Sequence, residues 1–194
     1  MTVAGEESDE HLMARLREGD ESALNALMGR WQVPLRRFLY RFLQSDAQAL
    51  DVAEETFVRI YSSRNRYSEA QPFRPWVFAI ATNLARNQLR WRRRHPGESL
   101  DGSSGPYLAR EDALLENATP ADQLGRAERA AAVRDAIARL PEDLRTAVLL
   151  FEYEDLPQAE IAVIMGCSAK AVETRLYRAR GLLKKALERF MAGA

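Results

Sequence analysis

The side chains best suited to binding chemistry are the arginines, asparagines and aromatic rings between residues 73 and 94. This stretch carries six arginines and no acidic residue. At helical spacing, Phe78 and Leu89 fall on one apolar side, and the polar and aromatic side chains fall opposite or beside it. Arginine binds phosphates and guanine edges, asparagine can bind adenine, and exposed aromatic rings stack on unpaired bases. The pattern predicts a surface for partly opened DNA, made of Trp76, Asn83, Arg86, Asn87, Arg90 and Arg94.

A simpler interpretation of this stretch stays open. Arginine-rich helices are often only solvated, and tryptophan is usually largely buried. In that interpretation Trp76 is half-buried against a neighbouring element and the arginines contact water. An acid-free run of six arginines is nevertheless unusual beside the mixed charge of ordinary protein surfaces.

Residues 156–190 form a second basic segment with the pattern of a helix-turn-helix. Pro157 suits the first turn of a short helix, Gly166 suits the left-handed residue that ends it, and Ser168 can cap the next helix. That next helix has an apolar stripe that includes Val172 and Leu176, with basic residues opposite. Such a second helix typically enters the major groove of DNA. The alternative is an ordinary amphipathic helical hairpin with a solvated charged face.

An acidic helix between residues 45 and 62 has a different character. Asp51, Glu54 and Glu55 surround an otherwise apolar pattern, and Arg59 follows one turn later. This surface could bind a basic protein partner. A solvated acidic helix is an equally good physical explanation.

The elements that carry these residues predict an all-α protein of two small helical domains joined by a flexible linker. No strongly alternating β-branched run occurs, and apolar residues recur at helical spacing. We place the first domain at residues 1–94 and the second, with the helix-turn-helix, at 120–194. Residues 95–119 are rich in Gly, Ser, Pro and Asp, which favours a tether.

Composition narrows the function classes. Net charge is zero over 194 residues, but charges are segregated into acidic and basic blocks along the chain. Such blocks suggest two separate anionic partners, or two contacts on one long anionic partner. No apolar run is long enough for a membrane span, and the acidic N-terminus lacks the pattern of a secretory signal.

The single Cys167 fits a reducing compartment, so we expect a cytoplasmic protein. No cluster at metal-ligand or catalytic spacing is evident, so we expect no enzyme, no cofactor and no metal.

Two sets of motifs resemble the bacterial sigma factors. The segment Asp51-Val-Ala-Glu-Glu-Thr-Phe-Val-Arg-Ile-Tyr61 resembles their polymerase-binding helix. The segment from Phe73 to Asn87 is similar to the helix that melts and reads the minus-10 element, and residues 160–180 are similar to the minus-35-reading domain. The short tether leaves no room for the middle domain of primary sigma factors. The sequence therefore resembles the extracytoplasmic-function sigma factors.

The resemblance implies a transcription initiation factor that binds the beta and beta-prime subunits of core RNA polymerase, recognises two promoter elements and helps to open the DNA. It further implies control by an anti-sigma factor. The loop from Arg66 to Gln71 could hold an extruded base. The implied polymerase contacts are Asp51, Glu54, Glu55, Phe57 and Arg59. The implied minus-10 contacts include Asn83, Arg86, Asn87 and Arg90, and the implied minus-35 contacts are Lys170, Glu173, Thr174, Arg175 and Arg178.

The sequence departs from the sigma-factor pattern at one place, and one alternative function stays open. Gln48-Ala49 stands where the family often has an acidic pair. The rival is a two-domain regulator that binds duplex DNA through the helix-turn-helix and uses its first domain for a ligand or for dimerisation. The aromatic and basic central helix argues against it, because such a regulator does not need to hold single strands.

Overall fold

The computed structural model describes residues 7–95 and 120–191, and within these ranges every regular element is helical. The first domain contains α1 (Asp9–Arg17), α2 (Glu21–Leu43), α3 (Asp46–Ser63) and α4 (Phe73–Arg94), with a short 3-10 turn at Arg64–Arg66. The second contains α5 (Pro120–Ala138), α6 (Glu142–Val148), α7 (Gln158–Met165) and α8 (Ala169–Met191). These bounds agree with the sequence pattern to within a few residues.

A side-chain cap marks the start of α3. Ser45 followed three residues later by Gln48 is the sequence pattern of a capping box, and the Ser45 side chain accepts a hydrogen bond from the Gln48 backbone N–H at 3.5 Å. Gln48 does not complete that box, because its Oε1 accepts instead from Arg92 of α4 at 3.3 Å. The polar residue that the sequence pattern assigns to the cap therefore ties α3 to α4.

An aromatic cluster fills the centre of the first domain. Phe38 of α2 packs edge-on against Phe78 of α4, with ring centroids 5.1 Å apart, and both rings are fully buried. The start of α4 is fixed by Glu10 of α1, whose carboxylate accepts from the Phe73 backbone N–H at 2.9 Å. That hydrogen bond lowers the pKa of Glu10. Since Pro72 provides no side-chain cap, Glu10 serves as the cap of the arginine-rich helix.

The second domain differs from the sequence prediction in one helix. The helical spacing of the sequence predicts a single helix from Pro141 to about Tyr153, whereas α6 ends at Val148 and continues as a π-helical turn at Leu149–Tyr153. The Thr119-Pro120 pair predicts a cap and a first turn for a helix that runs to about Leu140. Thr119 lies outside the described residues, and the helix ends at Ala138. Pairwise contacts join α6, α7 and α5 to α8, which is the central element of this domain.

The two domains lie against each other. Helix α4 packs on α7, and α2 contacts both α5 and the π-helical turn. Buried apolar residues of both domains form one continuous cluster, which extends from Leu12 to Ala179. The two domains therefore share a hydrophobic contact, which the spacing of apolar residues within each helix does not predict.

Candidate nucleic-acid and polymerase interfaces

Trp76 lies at the start of the arginine-rich face of α4 and is half-buried. Its ring is 4.8 Å from the Tyr67 ring and 5.9 Å from the Phe73 ring, centroid to centroid. Tyr67 itself is only 4% exposed, and its hydroxyl donates to the Gln71 carbonyl at 2.7 Å. The loop that was expected to hold an extruded base is therefore anchored by a buried tyrosine, with exposed residues on either side of it.

Four of the predicted minus-10 residues form an exposed strip along α4. Asn83, Asn87, Arg90 and Arg94 are all solvent-exposed. Arg90 approaches the Asn87 side-chain oxygen at 3.5 Å, and Arg94 donates to the Arg90 carbonyl one turn earlier at 3.4 Å. These weak contacts within one helix leave the guanidinium groups accessible to a phosphate or a base edge.

Arg86 is the exception on this face, because its side chain is only 13% exposed. Its Nη2 donates to Asp143 at 3.1 Å and to the Thr146 hydroxyl at 3.4 Å. Its Nε lies 3.4 Å from a Glu142 carboxylate oxygen, an ion-pair distance without hydrogen-bond geometry. All three partners belong to α6 of the second domain, so this predicted DNA contact is occupied by protein.

The helix-turn-helix forms as its sequence predicts. Gly166 ends α7 in the left-handed conformation, with φ of 62°, and the Ser168 hydroxyl accepts from the Ala171 backbone N–H at 3.2 Å. Val172 and Leu176 are buried on the inner side of α8. The outer side is exposed and carries Lys170, Glu173, Thr174 and Arg178.

Within that outer side, two polar contacts order the first turns of α8. Lys170 pairs with Glu173 at 2.8 Å, and the Thr174 hydroxyl donates to the Lys170 carbonyl at 2.9 Å. The Lys170 and Glu173 side chains are 79% and 55% exposed, so the pair is weak and can be replaced by a ligand. Arg178 is also exposed and therefore accessible to DNA.

Arg175 was predicted to approach the major groove, but its side chain bends back towards the protein and is 25% exposed. Its Nη1 lies 2.7 Å from the Cys167 sulfur, and its Nη2 is 3.4 Å from Asp143. In this arrangement Arg175 joins the turn of the motif to α6. A helical wheel cannot reveal such a contact, because Arg175 lies at the flank between the buried and exposed faces.

Tyr177 was not among the predicted site residues, although the structure exposes 80% of it on the same face as Thr174 and Arg178. Val163 of α7 is equally exposed, also at 80%. The helical phase of Tyr177, opposite the apolar stripe, was the signal that could have identified it. A large exposed aromatic residue on this face adds apolar contact area beside the basic residues.

The acidic face of α3 is present, with one difference from prediction. Asp51 and Glu54 are exposed, and Glu55 pairs with Arg59 at 2.7 Å. Phe57, however, is only 5% exposed and belongs to the core. Burial limits Phe57 to the floor of any protein interface at this face.

Beside this face the structure contains an apolar groove that the sequence did not reveal. It has a volume of about 590 Å³ and lies between α2 and α3. Val58 and Tyr61 on one wall are 58% and 37% exposed, and Glu21 and Glu54 stand at the rim. An apolar floor with an acidic rim fits an amphipathic basic helix of a partner protein.

Residues 7–95 and 120–191 contain no helix that is both long and apolar enough to cross a membrane. The same part of the chain brings together no group of three His, Cys, Asp or Glu side chains suited to a metal ion.

The sequence matches two protein-family descriptions in order along the chain. Residues 27–95 match "Sigma-70 region 2" and residues 130–183 match "Sigma-70, region 4". The chain is 34% identical over 184 residues to the RNA polymerase sigma-H factor of Pseudomonas aeruginosa, covering 94% of this chain and 95% of that protein. It is 32% identical over 190 residues to the ECF RNA polymerase sigma-E factor of Haemophilus influenzae, covering 97% and 100% respectively.

Solved structures share the fold. A structure of CnrH in complex with the cytosolic domain of CnrY is similar, with a TM-score of 0.69 and 26% identity, covering 94% of this chain and 99% of that one. The sigma factor RpoE of Bartonella quintana, solved with the anti-sigma factor NepR, has a TM-score of 0.62 at 18% identity and shares the fold alone. It covers 84% of this chain and 96% of that one.

Proposed function

The chain belongs to the extracytoplasmic-function sigma factors of the sigma-70 family, and we propose how its surfaces divide the work of such a factor. A sigma factor binds core RNA polymerase, directs it to promoters and assists DNA melting. We assign polymerase binding and the minus-10 element to residues 1–94, and the minus-35 element to residues 120–194, with 95–119 as the connecting linker.

One observation carries the assignment of the DNA surfaces. Two separate helices, α4 and α8, expose basic side chains on faces opposite their buried stripes. Arg90 and Arg94 lie on one, and Lys170 and Arg178 on the other. A protein that holds duplex DNA at one element and opened DNA at another requires two such surfaces.

For the minus-10 element, exposed Asn83, Asn87, Arg90 and Arg94 are the direct contacts, and half-buried Trp76 offers its exposed part to an unpaired base. Arg86 joins them only after it leaves α6. For the minus-35 element, Lys170, Glu173, Thr174 and Arg178 enter the major groove. Arg175 acts mainly by supporting the turn, and exposed Tyr177 contributes apolar contact.

For core polymerase, the groove between α2 and α3 is the main contact. Asp51, Glu54, Glu55 and Arg59 provide the charged side of that contact, and buried Phe57 supports its floor. Val58 and Tyr61 supply the apolar area that charged residues alone would lack. The acidic rim selects a basic helix through electrostatic complementarity.

The chain is controlled by an anti-sigma factor, as its family membership implies. We place the protein in the cytoplasm, where core polymerase and promoter DNA are found. Its activity is that of an initiation factor, since its family acts in transcription initiation through binding.

Size-exclusion chromatography with bacterial core polymerase tests the polymerase assignment. The wild-type chain should co-elute as a one-to-one complex. Val58→Asp places a charge on the apolar wall and should weaken the complex at least about tenfold, because a buried unpaired charge costs more than 1.4 kcal/mol. Val33→Asp is the matched control, because Val33 is 48% exposed on α2 and does not line the groove.

The outcomes separate the assignments. If Val58→Asp and Val33→Asp bind polymerase equally well, the groove is not the contact. If the well-folded wild-type chain fails to bind at all, the role as an initiation factor is wrong and the duplex-binding regulator is the better explanation.

A further inference from the structure

A cavity of about 350 Å³ lies where the ends of α2, α4 and α5 meet α6. Three of the side chains that line it are arginines, Arg92 and Arg93 of α4 and Arg145 of α6. A concave space with three guanidinium groups in its wall attracts anions. The other residues described in its wall carry no charge and are Leu43, Gln44, Leu89 and Ala138.

The hydrogen bonds of the two partly buried arginines do not neutralise their charge. Arg92 donates from Nη1 to the Leu43 carbonyl at 3.2 Å and to the Gln48 side-chain oxygen at 3.3 Å, and both acceptors are neutral. Arg145 donates from its terminal nitrogens to three main-chain carbonyls, and its Nε is buried without a hydrogen-bond partner among the described residues. A buried donor without an acceptor is costly, and an acceptor on a bound ligand is one way to remove that cost.

One carboxylate and two helix ends oppose the three guanidinium charges. Glu142 lies 3.8 Å from Arg93, and the C-terminal ends of α2 and α5 each carry roughly half a negative charge. The described residues therefore leave about one positive charge uncompensated at the cavity. The pKa of Arg145 responds to this surplus, because burial lowers it and the charges of Arg93 and Arg92 lower it further, against the opposing effect of Glu142.

The three arginines differ in their exposure to solvent. The Arg93 side chain is 66% exposed, whereas Arg92 and Arg145 are partly buried. Hydrogen bonds to charged groups gain strength where less water surrounds them. Arg93 can therefore meet an anion from solution, and the two partly buried arginines provide the stronger contacts.

The volume of the cavity restricts which anions fit. A water molecule takes up about 30 Å³ in the liquid, so the cavity has room for roughly a dozen. Its volume is at the lower end of the range for small-molecule sites, which favours a compact ligand over a polymer. The planar fork of a guanidinium matches two oxygens of one phosphate group, and three such forks suit a ligand with more than one negative charge.

We propose that this cavity binds a small phosphate-bearing anion, of about the size of pyrophosphate, through Arg92, Arg93 and Arg145. The bound anion contacts elements at the ends of α2, α4 and α5 together with α6. It therefore stabilises the folded chain by mass action. This site is additional to the surfaces assigned to DNA and to core polymerase.

A phosphate of the DNA backbone is the other source of the same chemistry. Arg92 and Arg93 lie on either side of buried Leu89 in helical phase, whereas Arg90 and Arg94 of the exposed strip lie on a different side of α4. DNA bound along the strip is therefore directed away from the cavity. This placement favours a free small anion.

The test is isothermal titration calorimetry of the full-length chain with pyrophosphate at constant ionic strength. Arg93→Gln removes one charge from the wall of the cavity at an exposed position, where the fold does not depend on it. The matched control is Arg129→Gln, which removes the same charge from an exposed position on α5 outside the cavity. Circular dichroism verifies that both variants are folded.

We expect the wild-type chain to bind pyrophosphate saturably, Arg93→Gln to bind it roughly tenfold more weakly, and Arg129→Gln to bind it as wild type does. At about 100 times the Kd, pyrophosphate should raise the Tm of the wild-type chain by about 5–10 °C. The absence of saturable binding, or an equal loss of affinity in the two variants, would overturn the proposal.

A competition experiment distinguishes the two sources of phosphate. A labelled DNA duplex of mixed sequence is bound to the chain, and its fluorescence anisotropy is followed as pyrophosphate is added at constant ionic strength. An anisotropy that stays unchanged at saturating pyrophosphate supports a separate site. Competitive displacement of the duplex would instead assign these arginines to the DNA backbone and reject the small-anion site.

Discussion

Arg145 of α6 donates a 3.0 Å hydrogen bond from Nη1 to the main-chain carbonyl of Phe42, in the last turn of α2. Its other terminal nitrogen donates to the carbonyls of Ala138 and Leu140, just past the end of α5. One guanidinium thus satisfies carbonyls at the ends of two helices from different domains, where the negative end of each helix dipole favours a cation. Burial lowers the pKa of Arg145, and nearby Arg93 acts in the same direction.

Replacing Arg145 should therefore weaken the whole fold. Arg145→Met keeps the apolar stem but leaves these carbonyls without their donor, and we expect the free energy of unfolding to fall by about 1.5–3 kcal/mol. Urea denaturation followed by circular dichroism provides the measurement. Arg139→Met, at an exposed position beyond α5, is the control, and an equal effect of the two substitutions would refute the bridging role.

Glu154 makes the stability of the folded chain dependent on pH. It is 7% exposed, and burial raises its pKa to about 7. Arg41 of α2 and Arg74 of α4 act in the opposite direction, and neighbouring Asp155 adds to the rise. The folded chain therefore keeps a proton on Glu154 that the unfolded chain, with a pKa near 4.5, releases.

The contribution of Glu154 to the free energy of unfolding changes with pH according to which state, folded or unfolded, binds more protons. Between pH 4.5 and 7 the folded state binds more, so the contribution of Glu154 to stability is complete below pH 4.5 and is lost as pH rises through 7. Glu154→Gln cannot ionise, so its stability relative to wild type should rise by up to about 3 kcal/mol between pH 5 and pH 8. Urea unfolding at several pH values measures this difference. A profile for Glu154→Gln that stays parallel to wild type would contradict the buried protonated state.

An experiment on Arg178 of α8 can distinguish recognition of a base from binding of a phosphate. If it reads a base, Arg178→Ala should cost about 1–3 kcal/mol on the true minus-35 element and little on a scrambled one. Lys184→Ala removes the same charge from an exposed position further along α8 and should weaken both DNAs equally. The comparison is made with holoenzyme on promoter fragments by electrophoretic mobility shift. Equal loss on true and scrambled elements for Arg178→Ala would assign it to the phosphate backbone.

Much of the fold could be predicted because its signals are local. Asp20 at the start of α2, Ser45 at the start of α3, and Pro157 and Gly166 at the two ends of α7 lie within one turn of the helix ends that they mark. The split of the helix after Val148 could not be predicted in this way. Nothing in the spacing of Leu149–Tyr153 distinguishes a π-helical turn from an α-helix, because the two differ by one residue per hydrogen bond.

The sites were harder to predict where two distant segments share a side chain. The exposed strip on α4 follows from helical phase, but the burial of Arg86 depends on residues more than fifty positions later in the chain. Gln48 similarly leaves its predicted cap for Arg92 of another helix. Periodicity reports which side of a helix is apolar, and it carries no information about which other element covers a polar side chain.

The two-sided use of Arg86 limits how this chain can be re-engineered. If Arg86 contributes to promoter recognition as proposed, the same guanidinium also joins the two domains through its contacts with Glu142 and Asp143 of α6. A substitution chosen to change promoter preference at this position would also remove the contacts of Arg86 with α6 and weaken the packing of the two domains. Retargeting is therefore better begun at Asn83 or Asn87, which are exposed and face no residue of the second domain among the described hydrogen bonds.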